Sequence, residues 1–221
     1  MKKILIDAIS FAYDDEDVLH DFTLEIHAQE GCILLAGRNG TGKSTLLNLL
    51  AGALLPYEGI VMREDMTIGY LPFDTPLFEH LSVLDNLRYY YRNFHGKNFV
   101  LEDEQVQKIL QALSIDYLEQ RLDKCSSGQK QKAGIAMILM SGTDIIVMDE
   151  PFVAIDSKSC SGLLRLIKEM KSTKTFLLTT HTIEQLEPIA DRLILLKEKG
   201  IELDTRNHDQ IHEYFVEDHQ L

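Results

Sequence analysis

Apolar and polar residues alternate in two stretches near the start of the chain, KILIDAISFAY (3–13) and VLHDFTLEIHA (18–28), with the acidic run Asp14-Asp15-Glu16-Asp17 between them. A period of two puts alternate side chains on one face, so both stretches predict half-buried strands joined by a turn. GCILLAG (31–37) is a short, nearly unbroken apolar run ending in glycine, the pattern of a strand buried on both faces. KSTLLNLLAGAL (43–54) follows with helical spacing, and 59–70 resumes strand character.

From Ser82 to about Leu122 the period lengthens. Val83, Leu84, Leu87, Tyr90, Tyr91 and Phe94 fall at helical spacing, as do Val106, Ile109, Leu110 and Leu113. DIIVMDEP (144–151) predicts another buried strand, KSCSGLLRLIKEM (158–170) a helix, KTFLLTTH (174–181) a strand and IEQLEPIA (183–190) a short helix. DRLILLKEKGIELD (191–204) predicts a hairpin turning at Lys199-Gly200, and the tail from Asn207 a polar helix. Strand–helix alternation in the C-terminal half implies a parallel sheet with crossover helices. The expected fold is α/β: a core from residues 1–74 and 143–221 with an antiparallel β part at its N-terminal end, and a mostly helical subdomain inserted at 75–142.

Composition narrows the partners. The 221 residues are 45% hydrophobic and 26% charged, an ordinary globular mixture. Thirty-five acidic residues against 22 basic ones leave a net charge of -13, which repels phosphodiester backbones and anionic lipid, so no nucleic-acid partner is expected. Cys32, Cys125 and Cys160 lie far apart without CxxC spacing, which predicts reduced thiols, small buried side chains and a cytoplasmic protein. The N-terminal run carries Asp7 and makes a poor signal peptide, and no window approaches 18 uncharged apolar residues. Any membrane span would come from another chain.

The chemistry begins after the third predicted strand. Gly37-Arg38-Asn39-Gly40-Thr41-Gly42-Lys43-Ser44-Thr45 has the spacing GxxxxGK[ST] between a buried strand and a helix, the context a phosphate loop requires. Its glycines let successive N–H groups turn inward on anionic oxygens, and the helix aims its positive end at the same place. Lys43 would reach the β- and γ-phosphates and Ser44 would ligate Mg²⁺. In DIIVMDEP the apolar run ends on Asp149-Glu150, at the strand edge where open α/β sheets bind ligands. Asp149 would hold Mg²⁺ through its coordinated water, and Glu150 would polarise the attacking water as general base.

Between these motifs lies KCSSGQKQKAGIAMIL (124–139). With Cys125-Ser126-Ser127-Gly128-Gln129 standing where Leu-Ser-Gly-Gly-Gln is usual, the chain resembles the ATP-binding-cassette ATPases, exporter-type cassettes among them, over nearly its whole length. The order of parts also agrees: an early aromatic, the phosphate loop, a helical insertion, the signature, an acidic strand end, Val153-Ala154-Ile155-Asp156, and a strand ending in His181. The resemblance implies a P-loop NTPase core and two cassettes paired head to tail. Each ATP would lie between one chain's phosphate loop and the other's signature, with Ser126, Ser127, Gly128 and Gln129 facing the partner's γ-phosphate. Locally, Ser126 and Gln129 also form an S-x-x-Q capping box. The resemblance makes Tyr13 the aromatic that stacks on adenine, against a half-buried strand tyrosine on local grounds. It makes His181 a γ-phosphate contact, against a polar residue entering a helix at Thr182. Asp156 becomes an aspartate near the dimer interface, against an N-cap for the helix after it.

The chain departs from the pattern in three places. Ser127 replaces a glycine, Cys125 a leucine, and Gly69-Tyr70-Leu71-Pro72-Phe73 has phenylalanine where the family has a metal-sensing glutamine. Phe73 has no donor or acceptor and is expected in apolar contact with the insertion. Asp74 would reach the metal only with a shift of loop register. The resemblance implies an ATP-hydrolysing subunit that drives transport, in the direction of export from the look of 81–96, through separate transmembrane permease subunits on the cytoplasmic face of the membrane. Its second cassette would be the same chain or another. The alternative is a soluble cassette acting in assembly or scaffolding, as in iron–sulfur cluster assembly.

Overall fold

The computed structural model describes residues 2–14, 16–179 and 186–217. The alternating stretches form β1 (Lys3–Tyr13) and β2 (Glu16–His27), paired antiparallel, and the all-buried run forms β3 (Gly31–Ala36). The helix α1 (Lys43–Ala51) stops where Gly52 takes a left-handed conformation and returns its N–H to the Asn48 and Leu49 carbonyls. The single strand expected at 59–70 is two, β4 (Glu58–Glu64) and β5 (Ile68–Leu71), each in a different sheet. Between them Asp65 has φ +52, a left-handed residue that turns the chain.

The helical region contains α2 (Val83–His95) and α3 (Glu104–Ala112), capped by Ser82 and Asp103 through bonds to first-turn N–H groups. A 3₁₀ turn at Leu122–Lys124 leads to α4 (Ser127–Leu139). Then come β6 (Ile145–Met148), α5 (Ser157–Met170), β7 (Thr175–Thr179), a 3₁₀ turn at Glu187–Ile189, β8 (Arg192–Lys197), β9 (Gly200–Thr205) and α6 (His208–Glu217). The β8–β9 hairpin turns one residue earlier than expected. Glu198 (φ +47) and Lys199 (φ +73) are both left-handed, the two-residue turn whose twist matches the flanking strands, and Gly200 already starts β9.

The strands make a three-stranded sheet, β2-β1-β4, and a six-stranded sheet, β5-β6-β7-β3-β8-β9. β6, β7, β3 and β8 run parallel, with β9 antiparallel at one edge. The fold is thus a mixed α/β cassette with an antiparallel β part.

The chain separates into two compact units. The first comprises Met1–Tyr70, Thr143–Glu150 and Met170–Leu221. Its core gathers Ile4, Ile6 and Phe22 from the antiparallel sheet, Leu46, Leu47 and Leu50 from α1, and Ile33, Val147 and Leu177 from the larger sheet. Burying each such side chain contributes about 1.5–3 kcal/mol. The Arg192 guanidinium, nearly fully buried, donates to Asp204 at 2.7 and 2.6 Å, to Glu30 at 2.8 Å and to the Glu25 carbonyl at 2.9 Å.

The second unit comprises Leu71–Gly142 and Pro151–Glu169, with α2 and α3 packed on α4. It takes in a segment that the sequence assigns to the core, Pro151–Glu169. The reason is close packing within this unit: a Cβ on Gly162 of α5 would lie 1.9 Å from the Ala112 carbonyl oxygen, and Ser159 Oγ donates to the Leu113 carbonyl at 2.9 Å. Phe73, expected against the insertion, keeps much of its ring in solvent. It is 57% exposed and stands at a cleft of about 320 Å³ lined by residues of this unit, Thr75, Lys130 and Ala154 among them. Among the described residues, no helix is long and apolar enough to cross a membrane.

Candidate nucleotide site

In the first unit, β3 and β6 lie on either side of β7, all parallel, so their C-terminal ends share one edge of the sheet. The phosphate loop leaves β3 at that edge, and Asp149-Glu150 leaves β6 there. Thr41 Oγ1 donates to the Arg38 carbonyl at 2.9 Å, closing the loop on itself. Gly37 must be glycine, since its φ is +143 and a Cβ would lie 2.6 Å from the Leu196 carbonyl oxygen. Gly40 instead faces open space, and the side chains of Arg38, Asn39 and Ser44 are exposed around it. Gly42 precedes α1 in a left-handed conformation, and Lys43 and Thr45 are buried in the first turn.

The Lys43 ammonium bonds the Gly37 carbonyl at 2.7 Å and the Arg38 carbonyl at 3.1 Å. Burial pushes this group below its ordinary value, while the carboxylates of Glu150 and Asp149 pull it back up. Lys43 therefore shares one electrostatic environment with both acids.

Asp149 and Glu150 are held by a residue that sequence reasoning passed over. Thr179 Oγ1, fully buried at the end of β7, donates to Asp149 Oδ1 at 2.5 Å and accepts from the Glu150 N–H at 2.9 Å. One hydroxyl thus fixes the Asp149 carboxylate and the Glu150 backbone. The only trace in the sequence is the pair of threonines before His181. Glu150 is buried and has φ +51, a left-handed conformation costly for a non-glycine residue and often stored at functional sites. His181 lies outside the described residues.

Tyr13, at the end of β1, is half exposed, with its ring edge-on to Phe11 at 4.9 Å. This is the half-buried strand tyrosine of the local reading, and its exposed half leaves room for a flat ligand as well.

Mg²⁺ fits the donor set. Ser44 carries a hydroxyl and Asp149 a carboxylate, both hard oxygen donors of the kind that Mg²⁺ takes. Among the described residues, no cluster of three or more His, Cys, Asp or Glu side chains could hold a metal. A magnesium site completed by substrate phosphates and water needs none.

The signature residues belong to the second unit. Ser126 caps α4, accepting from the Gln129 N–H at 3.2 Å, and Gln129 Oε1 accepts from the Ser126 N–H at 2.9 Å. The local capping reading is therefore realised. Ser127 is exposed as the first residue of α4, and Gly128 lies so near the next loop that a Cβ would come within 2.3 Å of the Ala154 carbonyl oxygen. Cys125 and Cys32 are buried, Cys160 is partly so, and all three are free thiols. Asp156 takes the N-cap role, accepting from the Ser159 N–H at 3.0 Å.

Residues 19–153 match the family model of the ABC transporter. The chain belongs to the ABC transporter family. It is 33% identical over 202 residues to an uncharacterised ABC transporter ATP-binding protein of Methanocaldococcus jannaschii, covering 88% of this chain and 74% of that one. It is also 33% identical over 214 residues to an ergothioneine transport ATP-binding protein of Helicobacter pylori, covering 89% of this chain and 99% of that one. Among solved structures, an ATP-binding subunit of an ABC transporter shares the fold with a TM-score of 0.81 at 22% identity, over 96% of this chain and 92% of that one. A bacterial Atm1-family ABC exporter does so with a TM-score of 0.80 at 20% identity, over 98% of this chain and 41% of that one. This ABC chain is an ATP-binding ATPase cassette.

Proposed function

We propose that this cassette hydrolyses ATP at the edge formed by β3 and β6 and thereby drives transport through separate transmembrane subunits. The observation that carries the reading is the convergence, in one unit, of the Lys43 ammonium with Asp149 and Glu150, both acids held by Thr179. Backbone N–H groups of residues 37–45 bind the β- and γ-phosphates, Lys43 exchanges its two carbonyl partners for phosphate oxygens, and Tyr13 stacks on adenine. Ser44 and Asp149 hold Mg²⁺, which when bound offsets negative charge on the phosphates. Glu150 accepts a proton from water as its oxygen attacks the γ-phosphorus and the bond to the bridging oxygen breaks, giving ADP and phosphate. His181 is the further candidate for contact with the γ-phosphate.

Ser126, Ser127, Gly128 and Gln129 face the γ-phosphate bound by a second cassette, paired head to tail. Their support is the exposed first turn of α4, a positive helix end with a small side chain at Ser127. The core of 1–74 and 143–221 carries the nucleotide. The insertion, 75–142, meets the permease on the cytoplasmic face of the membrane, and the direction is export. The aromatic surface of α2 supports such docking: Phe78 stacks with Tyr90 and meets Tyr89 edge-on, and Phe78, Tyr89 and Phe94 are all exposed.

Expression with the neighbouring genes and purification from detergent-solubilised membranes tests the reading. Recovery bound to a multispanning protein is expected. A chain that stays soluble and never associates with one contradicts transport and leaves the assembly ATPase.

A further inference from the structure

The face of α4 that carries the signature is tied down at two points by one loop. Gly128 and Lys132 are four residues apart, so they lie one above the other on the same helical face. At Gly128 the backbone of Ala154 comes so close that only a glycine fits, and Ala154 itself has φ +64, costly for a residue with a Cβ. One turn further along, Lys132 Nζ donates to Asp156 Oδ2 at 3.1 Å. The Lys132 side chain is only 10% exposed, and its ammonium also stands 5.7 Å from the centroid of the Tyr117 ring, whose hydroxyl donates to the Gln129 carbonyl at 3.1 Å. Asp156 is fixed independently, since the Ser159 N–H donates to it at 3.0 Å and the Ser159 hydroxyl, whose one proton is shared with the Leu113 carbonyl, stands 2.9 Å from it. These contacts lie within the second unit, and the loop that they hold begins at Pro151, directly after Glu150 in the chain.

We infer that Lys132 is a positioning residue: through Asp156 it clamps the Val153–Asp156 loop to the first turns of α4, so that loop and signature meet a second cassette as one preformed surface. The inference rests on the signature role proposed above. A surface ordered in advance loses less conformational freedom on association, so releasing the clamp weakens pairing without touching the chain's own phosphate loop. Lys132→Met keeps most of the apolar stem, and the half-exposed Asp156 keeps both Ser159 contacts, so the fold survives the change.

The test uses the full chain carrying Glu150→Gln, with ATP-dependent association followed by sedimentation and ATP binding to the monomer by calorimetry. Lys132→Met should weaken association about ten-fold, Lys132→Arg should restore it to within about three-fold, and monomer affinity for ATP should not change. Ser127→Glu is the control for the signature itself, because an acid suits the first turn of a helix but repels phosphate. If Ser127→Glu abolishes association while Lys132→Met pairs like its parent, the clamp is overturned and the signature stands. If Ser127→Glu pairs normally, the signature reading fails. Hydrogen exchange decides the clamp even in a chain that pairs only with a different cassette: amides of 153–156 should exchange about ten-fold faster in Lys132→Met than in Lys132→Arg. Equal exchange overturns the inference. Should Lys132→Met not fold, Asp156→Asn retains a capping side chain and is held to the same two outcomes.

Discussion

At the scale of single residues, Thr179 carries more of the site than its place in the sequence suggests. A hydroxyl that donates to one acid and accepts from the backbone of the next cannot be inferred from FLLTT, because it depends on β6 and β7 lying side by side. Thr179→Val keeps the shape and removes the bond. Turnover should fall about 10–100-fold with little change in melting temperature, as for other residues that orient a metal or water site; unchanged turnover would show that Asp149 and Glu150 need no such support. Lys43→Ala should lose ATP binding by calorimetry, and parent-like affinity would remove the phosphate-loop reading. Phe73 was legible as a departure from the family pattern, but not as an exposed residue, since nothing local says which way its loop faces. With no polar atom at this position, basal turnover should be slow, and Phe73→Gln should raise it or alter its Mg²⁺ dependence. A variant unchanged in both would show that the glutamine is not what limits this ATPase.

At the scale of elements, the buried strands β3, β6 and β7 and the start of α1 were readable because unbroken apolar runs and a glycine loop leave few alternatives. The assignment of α5 was not readable. Its helical period is plain, but its partner is decided by Gly162 against the Ala112 carbonyl and by Ser159 against Leu113. Gly162→Ala should cost about 1–3 kcal/mol, because backbone on both sides leaves nothing soft to yield. A melting temperature like that of the parent would contradict this packing. The buried Arg192 ties β8 to β9 and to the β2–β3 connection, and Arg192→Met should cost about 3–5 kcal/mol by leaving Asp204 without its cation and Glu30 with Arg206 alone. Asp156 adds a pH signature. The Ser159 N–H, then the Ser159 hydroxyl and Lys132, hold its carboxyl below the ordinary value of 3.8, so its contribution to stability is present above pH 3.8 and is lost as pH falls through the lower folded value. Asp156→Asn should flatten that acid limb in thermal melts.

At the scale of the whole molecule, the sequence showed both motifs of the ATPase and the family to which they belong, but not how the chain divides. One of the four crossings between the two compact units falls at Glu150–Pro151, so the proposed base ends a segment of the first unit and the loop that holds the signature starts a segment of the second. Periodicity cannot place such a boundary, because it depends on packing between segments far apart in the chain. The proposed function depends on Glu150 being the base of a Mg²⁺-dependent ATPase that acts as a pair. The most direct measurement is steady-state phosphate release by Glu150→Gln, with the mass of the ATP-bound species followed in parallel. Loss of turnover with accumulation of an ATP-bound dimer is the predicted result. Near-normal turnover in that variant would contradict it.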